Sequence, residues 1–83
     1  MKKINKIVIV YSATRKTDKV LSKVKEIIES SNSEIILSSN VNKLDSQSLK
    51  IASKADLILV LGGDGTMIGS IRNLHALNVP FLG

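Results

Sequence analysis

Residues 56–66 have the sequence DLILVLGGDGT, in which an apolar run, Leu57 to Leu61, leads directly into a glycine-rich segment, Gly62 to Thr66. A continuous aliphatic run is typical of a strand that is buried on both faces of a parallel sheet. Glycines directly after such a strand predict a tight turn. Beyond the turn, apolar residues recur at helical spacing, namely Met67, Ile68, Ile71 and Leu74. The stretch therefore predicts a strand over residues 56–61, a turn and a helix.

The rest of the chain repeats this alternation of strand and helix. Further strands are predicted over residues 4–11, 34–38 and 79–82, and further helices over residues 20–28 and 46–55, with Asn78 ending the last helix. Strands joined in this way require right-handed crossovers, which give a parallel sheet with helices on its faces. The predicted fold class is α/β, an open parallel sheet with flanking helices, cut off after its fourth strand.

The composition excludes several functional classes. The chain of 83 residues has no cysteine, which rules out disulfides, thiolate catalysis and a zinc–thiolate site. Its apolar runs fall far short of the ~20 residues that cross a bilayer. The run that follows Met1 is also too short for a secretory signal. We therefore expect a cytoplasmic protein with no membrane partner.

The net charge of +5 raises the question of a nucleic-acid partner. The basic residues are scattered along the chain, and no aromatic residues interleave with them to stack on bases. The charge is explained by solubility, and it also attracts small anionic nucleotides such as ATP. We expect nucleotides rather than nucleic acid as partners.

The glycine-rich turn lies where open α/β sheets bind ligands, beyond the carboxyl ends of the strands. Glycines let backbone amides approach a phosphate closely, and the following helix adds its positive N-terminal dipole. Asp64 would repel such an anion unless it has a task of its own. Either it accepts a proton from an attacking hydroxyl, or it helps to hold Mg²⁺ that bridges phosphate oxygens. We expect Thr66 to cap the helix with its hydroxyl.

Two better-known glycine motifs do not fit this turn. A P-loop requires a glycine followed by lysine, and the chain has no such pair. The dinucleotide fingerprint G-x-G-x-x-G would begin at Gly63 and Gly65, but Ile68 stands where its third glycine belongs. A purely structural tight turn would explain the glycines, but not the carboxylate among them. We therefore interpret the segment as a phosphate-handling turn.

Residues 55–72, ADLILVLGGDGTMIGSIR, resemble the signature of the NAD kinase family, a GGDG loop after a buried strand. Residues 78–83 resemble the strand that leads, in these enzymes, into an Asn-containing, glycine-rich segment. The resemblance implies transfer of the γ-phosphate of ATP to the 2′-hydroxyl of the adenosine ribose of NAD, giving NADP. It further implies a divalent metal, Mg²⁺, and a homo-oligomer for the full-length enzyme.

By the same resemblance, Asp64 matches the catalytic aspartate of the family, proposed as general base, and Arg72 matches an arginine with a phosphate or structural duty. The family's Asn-Glu or Asn-Asp pair and its all-β C-terminal domain are missing from these residues, and the NAD site lies between the two domains. Residues 1–83 are thus expected to be a partial N-terminal α/β nucleotide-binding domain with little or no kinase activity alone. The loop that lies against the nucleotide phosphates corresponds to Gly62, Gly63, Asp64, Gly65 and Thr66.

Two alternatives remain open. Lipid kinases and phosphofructokinases carry similar GGDG turns, which would make the acceptor a lipid or sugar hydroxyl. The hydroxyls of Tyr11 to Thr17, after the first strand, would instead cradle the phosphate of FMN in a flavodoxin-like binding module. That segment lacks glycine, carries two cations and is followed by no aromatic residue to flank a flavin ring. His75, the single histidine, is expected at the surface near a helix C-terminus and is given no role.

Overall fold

The computed structural model describes residues 5–12 and 15–82, apart from the side chains of Arg15, Lys16 and Asp64. Within these ranges the chain alternates strand and helix. The strands are β1 (Lys6–Tyr11), β2 (Glu34–Asn40), β3 (Leu57–Leu61) and β4 (Phe81–Leu82). The helices are α1 (Arg15–Ser30), α2 (Ser46–Ala52) and α3 (Asp64–Leu74), and short 3₁₀ turns follow at Val41–Lys43 and His75–Leu77.

The four strands form one sheet in the order β2-β1-β3-β4, and every pair is parallel. From β1 the chain crosses to β2 on one side, and it then returns past β1 to β3 on the other. The order of strands therefore reverses between β1 and β3. This is the topological switch point at which open α/β sheets bind ligands. The predicted α/β class with an open parallel sheet is confirmed.

The sheet separates two apolar clusters. Alternate residues of β1 point to opposite faces, so that Ile7 and Ile9 pack with Ile28 of α1, whereas Val8 and Val10 lie in the other cluster. Helix α1 therefore covers one face, and α2 and α3 cover the other, as right-handed crossovers on either side of the switch point require. The buried members of the second cluster include Ala52, Ile58, Val60, Leu74 and Val79.

Asp56 stabilises the end of the sheet at which strands β1 and β3 begin, opposite the glycine-rich turn. Its Oδ2 atom accepts hydrogen bonds from the backbone amides of Asn5 and Lys6, each at 3.0 Å. Its own amide donates to the Lys6 carbonyl oxygen at 2.7 Å. One carboxylate thus ties the start of β1 to the start of β3.

Most predicted elements are present, with shifted ends. Strand β1 begins at Lys6, with Asn5 outside the strand and the predicted start at residue 4 outside the described residues, and β2 runs two residues beyond its predicted end. Helix α1 extends further in both directions than its apolar pattern indicated. Helix α2 stops at Ala52 rather than Ala55, because the next three residues form a turn in which the Ala55 amide donates to the Ala52 carbonyl. None of the described helices is long and apolar enough to cross a bilayer.

The fourth strand is shorter than predicted. It begins at Phe81 rather than Val79, because Pro80 has no amide to donate to a neighbouring strand. The Pro80 carbonyl oxygen nevertheless accepts a hydrogen bond from the Ile58 amide at 2.9 Å. Asn78 has a φ of 56°, in the left-handed region, and its predicted role in ending the helical segment is confirmed.

Candidate functional site

The turn after β3 lies beside the segment that follows β1. Tyr11 and Leu61 are the last paired residues of the two strands. The Ser12 amide extends the ladder by donating to the Leu61 carbonyl oxygen at 3.2 Å. Ser12 and Gly62 therefore follow neighbouring strand ends at the switch point, where both can contact the same ligand.

Gly62 has a backbone conformation that requires glycine. Its φ is 146°, a value that residues with side chains rarely adopt. A Cβ at this position would lie 2.6 Å from Oγ1 of Thr66 and 2.8 Å from Oγ of Ser12. Two hydroxyls from different elements thus pack against the α-carbon of Gly62 and fix the start of the turn.

Gly63 and Gly65 differ from Gly62. Both are exposed, and a Cβ at either position would meet no atom within 4 Å. Neither has a positive φ. The chain itself therefore does not require glycine at these two positions. An open space beside glycine backbone is what the close approach of a ligand requires.

Helix α3 begins in the turn, with Gly63 as its N-cap. The Gly63 carbonyl oxygen accepts hydrogen bonds from the amides of Thr66 at 3.1 Å and Met67 at 3.3 Å. Asp64 and Gly65 are the first two residues of the helix, so their amides precede the first intrahelical hydrogen bond. These amides and the helix dipole favour an anion at this end of α3. The backbone of Asp64 lies at this anion-favouring end.

The prediction that Thr66 caps the helix is wrong. The capping position belongs to Gly63, which has no side chain, and no side-chain hydrogen bond caps α3. Thr66 is the third residue of the helix and is only 7% exposed, with its hydroxyl against Gly62. Its carbonyl oxygen accepts a hydrogen bond from the Ser70 hydroxyl at 2.7 Å. Thr66 therefore stabilises the turn by packing against Gly62. Its contact with nucleotide phosphates stays a prediction.

The structure does not bring Arg72 to the turn. Arg72 is exposed in the last turn of α3, eight residues after Asp64 and about 12 Å along the helix axis. Its phosphate role stays a prediction. His75 is exposed at the C-cap of α3, where its ring Nδ1 lies 3.2 Å from the Ile71 carbonyl oxygen. The predicted surface position of His75 at a helix C-terminus is confirmed.

A small cavity of about 180 Å³ lies next to the turn and is lined by Thr17, Val20, Leu61 and Gly62. Thr17 is buried in the first turn of α1. The sequence suggests Tyr11 to Thr17 only as a flavin site, and residues 13 and 14 of that segment lie outside the described residues; the position of Ser12 and Thr17 beside the glycine-rich turn does not follow from the local pattern. The signal that would have found it is strand order, because β1 next to β3 puts the two segments side by side.

The profile of the ATP-NAD kinase N-terminal domain family matches residues 7–83, which include the three helices and all four strands except the first residue of β1. The chain belongs to this family. It is 56% identical over 34 residues to the NAD kinase of Nitrosospira multiformis, covering 41% of this chain and 12% of that protein. The NAD kinase of Nitratidesulfovibrio vulgaris strain DP4 is also 56% identical over 34 residues, covering 41% of this chain and 11% of that protein.

The NAD kinase of Helicobacter pylori strain 26695 is 41% identical over 44 residues, covering 52% of this chain and 16% of that protein. The matched segments thus span less than a fifth of the length of these NAD kinases. No solved structure matches the chain.

The divalent metal expected from the sequence resemblance stays a prediction, against which the residue types of the turn can be compared. Within residues 5–12 and 15–82, no three described carboxylate, histidine or cysteine side chains lie close enough to hold an ion. Mg²⁺ in phosphoryl-transfer enzymes is held by one or two carboxylates together with the phosphates of the nucleotide, and it needs no cage of protein ligands. The glycine-rich turn offers one carboxylate, that of Asp64, whose chemistry fits either a metal ligand of this kind or a general base.

Proposed function

We propose that this chain supplies the phosphate-handling turn of an ATP-dependent NAD kinase, which phosphorylates the 2′-hydroxyl of the adenosine ribose of NAD to give NADP. The observation that supports this most is the open space beside Gly63 and Gly65 at the start of α3. Membership in the ATP-NAD kinase N-terminal domain family supports the same reaction. The kinase activity is itself proposed, because the matched segments cover only 12% and 11% of the length of these NAD kinases.

The turn binds phosphate oxygens through its backbone. The amides of Asp64 and Gly65 stand at the positive end of an 11-residue helix, and no side chain at positions 63 and 65 keeps a ligand away. The rigid part of the arrangement is Gly62, which is packed between Ser12 and Thr66. A fixed row of amides positions the γ-phosphate and stabilises the charge that develops on its oxygens during transfer.

Asp64 acts as the general base. The proton of the 2′-hydroxyl passes to the carboxylate of Asp64 as the ribose oxygen bonds to the γ-phosphorus. The bond between the γ-phosphorus and the β–γ bridging oxygen breaks at the same time, and ADP leaves. Asp64 is the first residue of α3, so its backbone belongs to the same turn as the amides that hold the phosphate. When bound, Mg²⁺ would supply positive charge that offsets the charge on the phosphate oxygens.

The test of this function is NADP formation by the complete gene product that carries residues 1–83, with the substitution Asp64→Asn. We expect kcat to fall by about 10²-fold or more, since a general base contributes about 10²- to 10⁴-fold. Asp18→Asn is the matched control, because Asp18 is an exposed carboxylate in the first turn of α1 and its loss changes the net charge equally. The general-base role fails if the Asp64→Asn enzyme keeps most of its kcat.

The choice of acceptor separates this function from its alternatives. The gene product is given ATP and, in separate assays, NAD, sugar phosphates or diacylglycerol. Phosphorylation of NAD alone supports the proposal, whereas transfer to a sugar or lipid hydroxyl assigns the turn to a related kinase.

The β1/β3 switch point is also where flavodoxin-like folds hold FMN. A purified protein with flavin absorbance would therefore favour the binding-module alternative.

A further inference from the structure

The turn contacts the body of the domain through Gly62. The space beside Gly63 and Gly65 is open, whereas the space beside Gly62 is filled from two directions. Thr66 fills it from within α3, the helix that the turn itself begins. Ser12 fills it from the segment after β1, which is a separate part of the fold.

The backbone of Ser12 is held in place by the ladder between β1 and β3. Its amide is held by the Leu61 carbonyl oxygen at 3.2 Å, and Leu61 is the residue that precedes Gly62. The hydroxyl of Ser12 therefore approaches Gly62 from a fixed backbone position. Its side chain is half-buried, so a larger side chain at position 12 has little free space on the Gly62 side.

A displacement of Gly62 passes directly to the phosphate-binding amides. Gly62 is bonded to Gly63, the N-cap of α3, and the amides of Asp64 and Gly65 follow. We infer that Ser12 is a positioning residue of the NAD kinase reaction, which acts through Gly62 and sets where these amides and the Asp64 backbone lie. This inference rests on the proposed function, because the reaction gives the positions of the amides their importance.

The experiment compares Ser12→Val and Ser12→Ala in the complete gene product. Ser39→Val is the matched control, because Ser39 is also a half-buried serine near the carboxyl end of a strand, but in β2 at the far edge of the sheet. We expect Ser12→Val to lower kcat for NADP formation about 10-fold or more, since small misplacements of a reacting group cost up to about 10²-fold. The KM for NAD should stay at the value of Ser39→Val, and kcat is compared per folded molecule.

Ser12→Ala keeps the test decisive even if the valine variant does not fold, because it removes an atom and crowds nothing. We expect this variant to lower kcat about 3-fold with an unchanged KM for NAD and an unchanged unfolding temperature, a modest loss because the turn is loosened rather than displaced. An alanine variant with the kcat of the unsubstituted enzyme would overturn the inference. So would a valine variant whose activity falls only in proportion to its folded fraction.

A second measurement separates this inference from the proposed function. The amide chemical shifts of Gly63 and Gly65 report the position of the turn without any reaction. We expect both to move in Ser12→Ala and to stay in place in Ser39→Val, and unchanged shifts in Ser12→Ala would overturn the inference. Absence of NADP formation by the unsubstituted gene product would overturn the proposed function instead, while the chemical shifts still decide whether Ser12 positions the turn.

Discussion

The Cβ that Gly62 lacks would lie 2.6 Å from Oγ1 of Thr66, so the two residues keep their places only because position 62 has no side chain. Thr66 belongs to α3, whose last residue, Leu74, is fully buried in the core. The start of the turn is thereby held against a helix that the core fixes. This makes the turn a preorganised structure, which is what a phosphate-binding site requires.

Substitution of Gly62 by alanine should destabilise the protein by about 1–3 kcal/mol, the usual cost of a residue with a side chain held in a sparsely populated backbone region. The steric conflict with the hydroxyls of Ser12 and Thr66 adds to that cost. The measurement is the free energy of unfolding in urea, compared with that of Gly63→Ala, where a Cβ meets open space. Equal unfolding free energies for the two variants would contradict the structure of the turn.

Substitution of Gly65 by alanine should separate stability from ligand binding. Gly65 lies in α3, and replacing a helical glycine by alanine stabilises a helix by up to about 1 kcal/mol. The new methyl group would enter the space from which we expect the phosphates to approach. Unfolding in urea should therefore show no loss of stability, whereas calorimetric titration with ATP should show weaker binding. Unchanged affinity for ATP would count against a phosphate site at this turn.

Substitution of Asp56 by alanine should lower the stability of the sheet at the end where β1 and β3 begin, away from the turn. The Oδ2 atom accepts two backbone hydrogen bonds, from Asn5 and Lys6, and a hydrogen bond to a charged group contributes about 1.5–3 kcal/mol. Because both bonds are exposed to solvent, we expect a loss of about 1–2 kcal/mol in the free energy of unfolding. Asp56→Asn keeps one carbonyl oxygen and should lose less. A loss in the alanine variant no larger than that in the asparagine variant would contradict this account.

Asp45 should contribute a pH-dependent part of the stability. It is the N-cap of α2, and hydrogen bonds from the Ser48 amide at 2.8 Å and the Ser48 hydroxyl at 3.0 Å lower the pKa of its carboxyl group. These bonds favour the ionised form, so their contribution is present above the unfolded-state pKa of about 4 and is lost as the pH falls through the lower folded-state pKa.

The check on Asp45 is the variant Asp45→Asn, which keeps a capping oxygen but does not titrate. The difference in unfolding midpoint between the two proteins should be constant from pH 7 to about pH 5. Below about pH 4 it should shift in favour of the variant, because the wild-type carboxylate becomes protonated. A difference that stays constant down to pH 2 would show that Asp45 does not titrate with folding.

Residues 1–83 alone should form little or no NADP from ATP and NAD. On the proposed function these residues supply the phosphate-handling turn, and the resemblance to NAD kinases implies that the NAD site also needs an Asn-Glu or Asn-Asp pair, which residues 1–83 do not contain. The measurement is NADP formation by the 83-residue chain and by the complete gene product at equal concentrations. Full turnover by the 83-residue chain would contradict the expectation.

The inner strands were predictable because runs of consecutive aliphatic residues indicate strands buried on both faces. The runs Ile7 to Val10 and Leu57 to Leu61 have no polar interruption, and both became inner strands of the sheet. The start of β4 was misplaced because Pro80 removes an amide from an otherwise strand-like run. The missing amide of Pro80 shortens the strand only where a neighbouring strand would accept a hydrogen bond from it. That depends on how the strands pair and not on the local sequence.

The glycine-rich turn was predictable from the sequence, whereas the residues that pack against it were not. Gly62 to Gly65 follow a buried run, and that pattern alone indicates a turn open to a ligand. The prediction for Thr66 failed because hydroxyl residues favour the N-cap in general, while the tight turn here brings the helix start forward to Gly63. The contact of Ser12 with Gly62 joins residues 50 positions apart, so only the order of the strands reveals it.

The division of the core into two clusters has a consequence for local opening. Of the described side chains of α1, only Thr17 and Ile28 are buried, whereas α3 buries Thr66, Ser70 and Leu74 in a shorter helix. A helix with few buried contacts separates from its sheet at a lower free-energy cost, and its amides exchange with solvent sooner. Helix α1 is therefore expected to separate from the sheet more readily than α3, and its amide hydrogens should exchange sooner.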